Sequence, residues 1–275
     1  DFIRQANPAT YGQGQFVSTT INTGGGQDEV RIEKAGGATR VDTGDDDDTI
    51  HVLSNENLNL TILAGPGADR VTLATILGTA TVETGDGADS VTLLRLGSTA
   101  AVWTGEGDDT LDIRSGEANT TLTAETGAGE DTILVSRTGQ GGTTSIDAQE
   151  GNDLIRVVGN QLASGISIQG DGPDTLPGDR LIFVAGMGQT TEGSQDEPAG
   201  DVWVINQGHV SYAGIEDLDV YSLSVPDAGG PYATQEGGTL EALNASGTSI
   251  PSGREVTYAW DIDGDGEYGE RSGAA

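Results

Sequence analysis

Eight aspartates recur through the first two thirds of the chain at nearly constant spacing: Asp28, Asp48, Asp69, Asp89, Asp109, Asp131, Asp153 and Asp174 lie 20 to 22 residues apart. Most close a glycine-rich phrase, as in TGGGQDEV from Thr23, TGDDDDTI from Thr43, AGPGADRV from Ala64, TGDGADSV from Thr84, TGEGDDTL from Thr104, TGAGEDTI from Thr126 and AQEGNDLI from Ala148. Glycine admits positive φ and lets carbonyl oxygens turn inward with no Cβ in the way. The aspartate then adds carboxylate oxygens at the end of the loop. Two such loops stacked on one another would make a cage of carbonyls and two carboxylates. A flexible shell of about six to eight oxygens suits calcium, whereas magnesium wants a smaller octahedron and softer metals want His or Cys. The candidate ligands are those eight aspartates with Asp46, with Asp179 as the alternative to Asp174, and with Gly65, Gly67, Gly85, Gly87, Gly105, Gly107, Gly127 and Gly129. Aspartate and glycine are also the usual residues of solvated turns holding no metal. Recurrence at one phase of every unit favours the metal, because stacked loops without one would bring uncompensated carboxylates close together.

Short strands must carry these loops. The second and fourth residues after the aspartate are apolar in seven successive units, from Val30 and Ile32, Ile50 and Val52, Val71 and Leu73 to Ile155 and Val157. A period of two rich in β-branched residues reads as strand. A second strand, marked by Ile21, Val41, Ile62, Val82, Val102 and Ile146, precedes the loop; its signal weakens at Ala124 and slips in register at Ile166 and Ile168. Two strands and two turns make a coil too thin to bury its own apolar face, so the coils must stack. The expected fold is all-β: a right-handed parallel β-solenoid of about eight coils over residues 20–183, after a lead-in at 1–19 and before a β cap at 184–224. An antiparallel sandwich with glycine-rich hairpins would explain the strands, but not the aspartate at a single phase.

With 44 acidic against 12 basic residues and a formal charge of −32, nucleic acid and anionic membranes are poor partners and cations are natural ones. Cysteine is absent, which removes disulfides, zinc–thiolate sites and cysteine nucleophiles together. No apolar run approaches the roughly 20 residues that span a bilayer. The chain begins without Met and reads as a mature or excised piece of a longer one. Its histidines, His51 and His209, support no triad, and the outward positions Arg31, Thr72, Thr92, Asp112 and Arg156 gather no acid–base pair, so no catalytic residue is expected. Parallel β-helices can also act on polysaccharides, with Trp103 or Trp203 as a sugar platform; that alternative stays open.

The loops resemble the repeats-in-toxin calcium-binding nonapeptide, GGxGxDxUx with U a large apolar residue, over approximately residues 20 to 183. Gly85, Gly87, Asp89 and Val91 fall on the second Gly, fourth-position Gly, Asp and U, as do Gly105, Gly107, Asp109 and Leu111, and Gly127, Gly129, Asp131 and Ile133. Thr or Ala replaces the first Gly, Asp46 interrupts the glycines of the Thr43 unit, and Gln149 and Glu150 disturb the Ala148 unit. With one acidic loop per coil where the family has two, the resemblance implies a single row of calcium ions. From Pro226 the chain resembles the start of a PKD-type immunoglobulin-like domain of bacterial surface proteins, Tyr258, Trp260 and Asp261 falling on its Tyr-x-Trp-Asp strand, so residues 225–275 are expected to form a partial β-sandwich. Asp261, Asp263 and Asp265, followed by Gly266, match the opening of a D-x-D-x-D-G calcium loop. The expected function is an extracellular or cell-surface structural or adhesive module, part of a longer chain and stiffened by calcium, with surface glycans or other surface proteins as partners. The alternatives are a carbohydrate-active β-helix and a calcium-triggered folding segment of a larger secreted toxin or hydrolase.

Overall fold

The computed structural model describes residues 2–5, 18–35, 37–56, 59–114, 116–170, 178–187, 191–193 and 198–223. The segment 225–275, expected to be immunoglobulin-like, and Asp174, Asp261, Asp263 and Asp265 lie outside them. The described chain is an all-β parallel solenoid, as expected. Strands before the aspartate loops line up in one sheet and strands after them in another, of 11 and 10 strands respectively. Seven turns separate the strand Thr19–Asn22 from Ile166–Gln169, so the count is about seven rather than eight.

The alternation seen in the sequence sets which side chains meet. In one sheet Val30, Ile50, Val71, Val91, Leu111, Ile133, Ile155 and Leu181 pair rung to rung, and all are fully buried. The facing sheet stacks Ile21, Val41, Ile62, Val82, Val102, Ala124, Ile146 and Ile168 in the same way. Burying each large side chain contributes about 1.5 to 3 kcal/mol, and it is available only when a neighbouring coil covers the rung. The suspected slip at Ile166 and Ile168 is no slip: both point inward, opposite Thr144 and Ile146. The turn opposite the acidic loops, variable in sequence, is stacked too, with parallel bridges running Ala35, Asn55, Ile76, Leu96, Gly116.

Past the last coil the register changes direction. Gly200–Val204 and His209–Ala213 form an antiparallel hairpin whose second strand continues the parallel sheet beside Ile166–Gln169. In the other sheet Asp217–Leu223 lies parallel to Arg180–Met187.

The acidic loops keep so tight a stack only because of their glycines. Gly105 has φ of +107°, and a Cβ there would lie 1.9 Å from the carbonyl oxygen of Gly85 in the coil before. Two loops break the pattern: Asp46 and Gln149 take φ of 84° and 65° without being glycine. Gly105→Ala is therefore expected to destabilise the chain by at least about 2 kcal/mol, while Gln149→Gly gains about 1 kcal/mol. Urea midpoints of the two variants check both signs.

Candidate functional site

The loop aspartates do not face solvent. Asp28, Asp48, Asp69, Asp89, Asp109, Asp131, Asp153 and Asp179 are each no more than 6% exposed, although they sit on a strongly acidic edge. Their alignment comes from the parallel register of the strands that follow, in which Thr49 pairs with Arg70 and Ser90 with Thr110. The eighth position belongs to Asp179, 26 residues beyond Asp153.

Each carboxylate reaches back one coil. The backbone N–H groups of Asp28, Asp48 and Asp69 donate to Oδ1 of Asp48, Asp69 and Asp89 at 2.7 Å. Those of Asp89, Asp109 and Asp131 donate to Asp109, Asp131 and Asp153 at 2.8 Å, and Asp153 donates to Asp179 at 2.9 Å. The column ends where the Asp179 N–H meets Oε2 of Glu216 at 2.8 Å. The aspartate carbonyls run the other way, Thr110 N–H donating to the Asp89 oxygen and Thr132 N–H to that of Asp109, both at 2.8 Å. This uses one oxygen of each carboxylate. Oδ2 of Asp69 and Asp153 is buried with no hydrogen-bond partner, while Asp48, Asp89, Asp109 and Asp131 each have a threonine hydroxyl of their own coil beside the carboxylate.

A second column, of threonines, was not singled out from the sequence, although Thr stands at the head of most loops. Thr43, Thr84, Thr104 and Thr126 are buried, and their hydroxyls donate to the carbonyl of the next loop head at 2.8 to 3.2 Å. Burial pushes the carboxyls of Asp48, Asp89, Asp109 and Asp131 upward, Asp109 to about 6, and the threonine hydroxyl of the same coil partly offsets the rise. Asp69 and Asp153 have alanine, Ala64 and Ala148, in place of that threonine. Burial lifts both to about 7, and neighbouring carboxylates add to the rise.

The geometry can be tested against the expected calcium row. Loop backbones are bonded directly to one another: Gly67 N–H to the Asp86 carbonyl at 2.9 Å, Gly87 to Glu106 and Gly107 to Ala128 at 2.7 Å, and Gly129 to Glu150 at 2.9 Å. Calcium takes six to eight oxygens at about 2.3–2.6 Å, and here those loop carbonyls and every Oδ1 of the column already accept an N–H from the adjacent coil. Among the described residues no group of three or more His, Cys, Asp or Glu side chains is placed to hold a metal. These bonds leave a second lone pair on each loop carbonyl and on each Oδ1, and they leave the buried Oδ2 atoms of the column untouched. Gly65, Gly85, Gly105 and Gly127 serve close approach, since a Cβ on any of them would fall 1.7 to 2.4 Å from the glycine carbonyl of the coil before.

The outer acidic side chains also bond to backbone. Asp47 accepts from Ala68 N–H and Asp108 from Glu130 N–H, both at 2.9 Å, and Asp46 Oδ2 accepts from Gly26 N–H at 3.1 Å. Elsewhere, an open hollow on the terminal hairpin is lined by Asp201, Trp203, Asn206, Gln207 and His209, with the Trp203 and His209 rings edge to face at 6.5 Å. No protein-family model, curated protein or solved structure matches the chain.

Two outcomes follow from the column. Asp89→Ala leaves the Asp69 N–H buried without its acceptor and should cost about 2 to 3 kcal/mol in urea unfolding. Ala64→Thr supplies the hydroxyl that other coils use and should gain about 1 kcal/mol at neutral pH, read in the same titration.

Proposed function

We propose that this chain is a structural or adhesive module of a larger extracellular or cell-surface protein, a distant structural analogue of repeats-in-toxin β-rolls. The observation that carries the reading is the uninterrupted stack itself. Every described coil repeats the same backbone ladder, and its side chains go to holding the next coil. Strands spaced about 4.8 Å apart make such a stack a spacer whose length grows with coil number. A charge of −32 keeps it soluble and away from like-charged partners, which suits a surface extension. In this reading calcium and other divalent ions neutralise the acidic edge, including exposed carboxylates such as Asp86 and Glu106.

A second reading has one specific support. The hollow with Trp203 combines an aromatic face with carboxylate, amide and imidazole groups, a composition that suits a neutral sugar ring. Glycan binding there agrees with an adhesive role and needs no turnover. Incubating the chain with a panel of polysaccharides is expected to release no reducing ends or unsaturated products; release that scales with protein concentration would overturn the structural reading in favour of a carbohydrate-active β-helix.

A further inference from the structure

We infer that the outer face of the 11-stranded sheet, whose strands precede the aspartate loops, is a binding track for a linear, uncharged polysaccharide that runs from the Trp203 hollow to Trp103. The inference rests on the glycan-binding reading of that hollow and extends it from a single ring to a polymer.

The hollow itself has the size and chemistry for a sugar. Its volume is ≈ 390 Å³, within the usual range of small-ligand sites. Trp203 pairs with His209 across the hairpin, and Asp201, Asn206 and Gln207 complete the lining. An indole offers a flat apolar surface to the C–H face of a pyranose, and the carboxylate and amide oxygens accept from its hydroxyls.

The polar surface does not stop at the hairpin. Asp201 pairs with Ser211 and accepts its hydroxyl. In register with Ser211 run Ser167, Ser145, Thr123, Ala101 and Thr81, one on each successive strand. The residues before and after each of them are buried, so this row points away from the core. A second exposed row, Thr143, Thr121 and Thr99, lies beside it on the side toward Trp203. Neither row holds a charge, in a chain with 44 acidic residues among 275.

Trp103 closes the far end. It stands two residues after Ala101 on the same face, so the one member of the row without a hydroxyl, and the smallest, adjoins the indole. Its register partners are Glu83 and Glu125, one on each side, which repeats the pairing of indole and carboxylate found at Trp203 and Asp201. Five strand spacings separate Trp203 from Trp103, about 24 Å at the usual interstrand distance and enough for several pyranose rings. The two indoles flank the hydroxyl row from opposite sides, so a chain laid over the row meets one at each end. The carboxylates accept from ring hydroxyls, while their charge, within a total of −32, repels uronates and sulfated glycans. An uncharged strip of hydroxyls matches an uncharged polyol, each surface supplying the partners that the other loses from water.

The test titrates the whole 275-residue chain calorimetrically with cello-, manno- and xylo-oligosaccharides from monomer to hexamer, with polygalacturonate and chitosan oligomers as charged probes. Affinity in at least one uncharged series should rise with each added ring up to the hexamer and change little between low and high salt. Trp103→Ala and Ser145→Asp should each weaken hexamer binding about tenfold or more while dimer binding stays as in the parent. Ser145 is exposed, so its variant decides if circular dichroism shows that Trp103→Ala has lost the β signal. Trp203→Ala should abolish binding at every length. Affinity that stops rising at the dimer, or hexamer binding that Ser145→Asp leaves unchanged, overturns the track and leaves the hollow as a lone sugar site. No binding in any uncharged series, or tighter and salt-sensitive binding of either charged probe, overturns the track and the glycan reading of the hollow together.

Discussion

The backbone N–H of each loop aspartate cannot be satisfied within its own coil. It points along the stack, out of reach of water, and its acceptor is the aspartate of the next coil at 2.7 to 2.9 Å. A buried amide without a partner costs about 1–3 kcal/mol, so the bond ties each coil to its successor at the point where the strands end and the loop begins. The rest of the edge is built around that tie. Glycines bring the loop backbones close enough to bond, and threonine hydroxyls close the loop heads onto the next carbonyl.

The arrangement carries a tension. The residue that supplies the acceptor is also a charge, repeated down a column with no basic group among those acting on it. Exposed ion pairs such as Lys34–Glu56 at 2.8 Å and Arg114–Asp112 at 2.8 Å lie on the outer faces and contribute little there. With 12 basic residues against 44 acidic ones, the chain has few cations to spend inside. Apolar rungs, each fully covered by the coil above and below, hold the stack together while the acidic edge works against itself.

A module of this kind has its chemistry spread along one edge instead of gathered in a cleft. Each coil does the same work as its neighbours, as the proposed spacer role requires. Local exceptions show where the pattern yields. Asp46 and Gln149 hold positive φ without being glycine, and Ala64 and Ala148 leave their aspartates without a hydroxyl. The Ala148 coil combines two of these departures, just before the insertion that delays Asp179.

Much of the fold was legible in the residues. The 20- to 22-residue period, the alternation of Val30 and Ile32 and their successors, and the phase of the aspartates determined a parallel solenoid with one acidic edge, because only stacking buries so thin a repeat. The threonine column was visible as a recurrence but its direction was not. Whether an aspartate turns toward solvent, a cation or a neighbouring amide depends on the gap between loops, and no spacing within one loop encodes that gap. Tertiary structure alone decided that the loop backbones bond to one another across the gap and that Asp179 accepts the Asp153 N–H. The physical reason is that a repeat specifies its own coil, while burial and hydrogen bonding along the edge belong to pairs of coils.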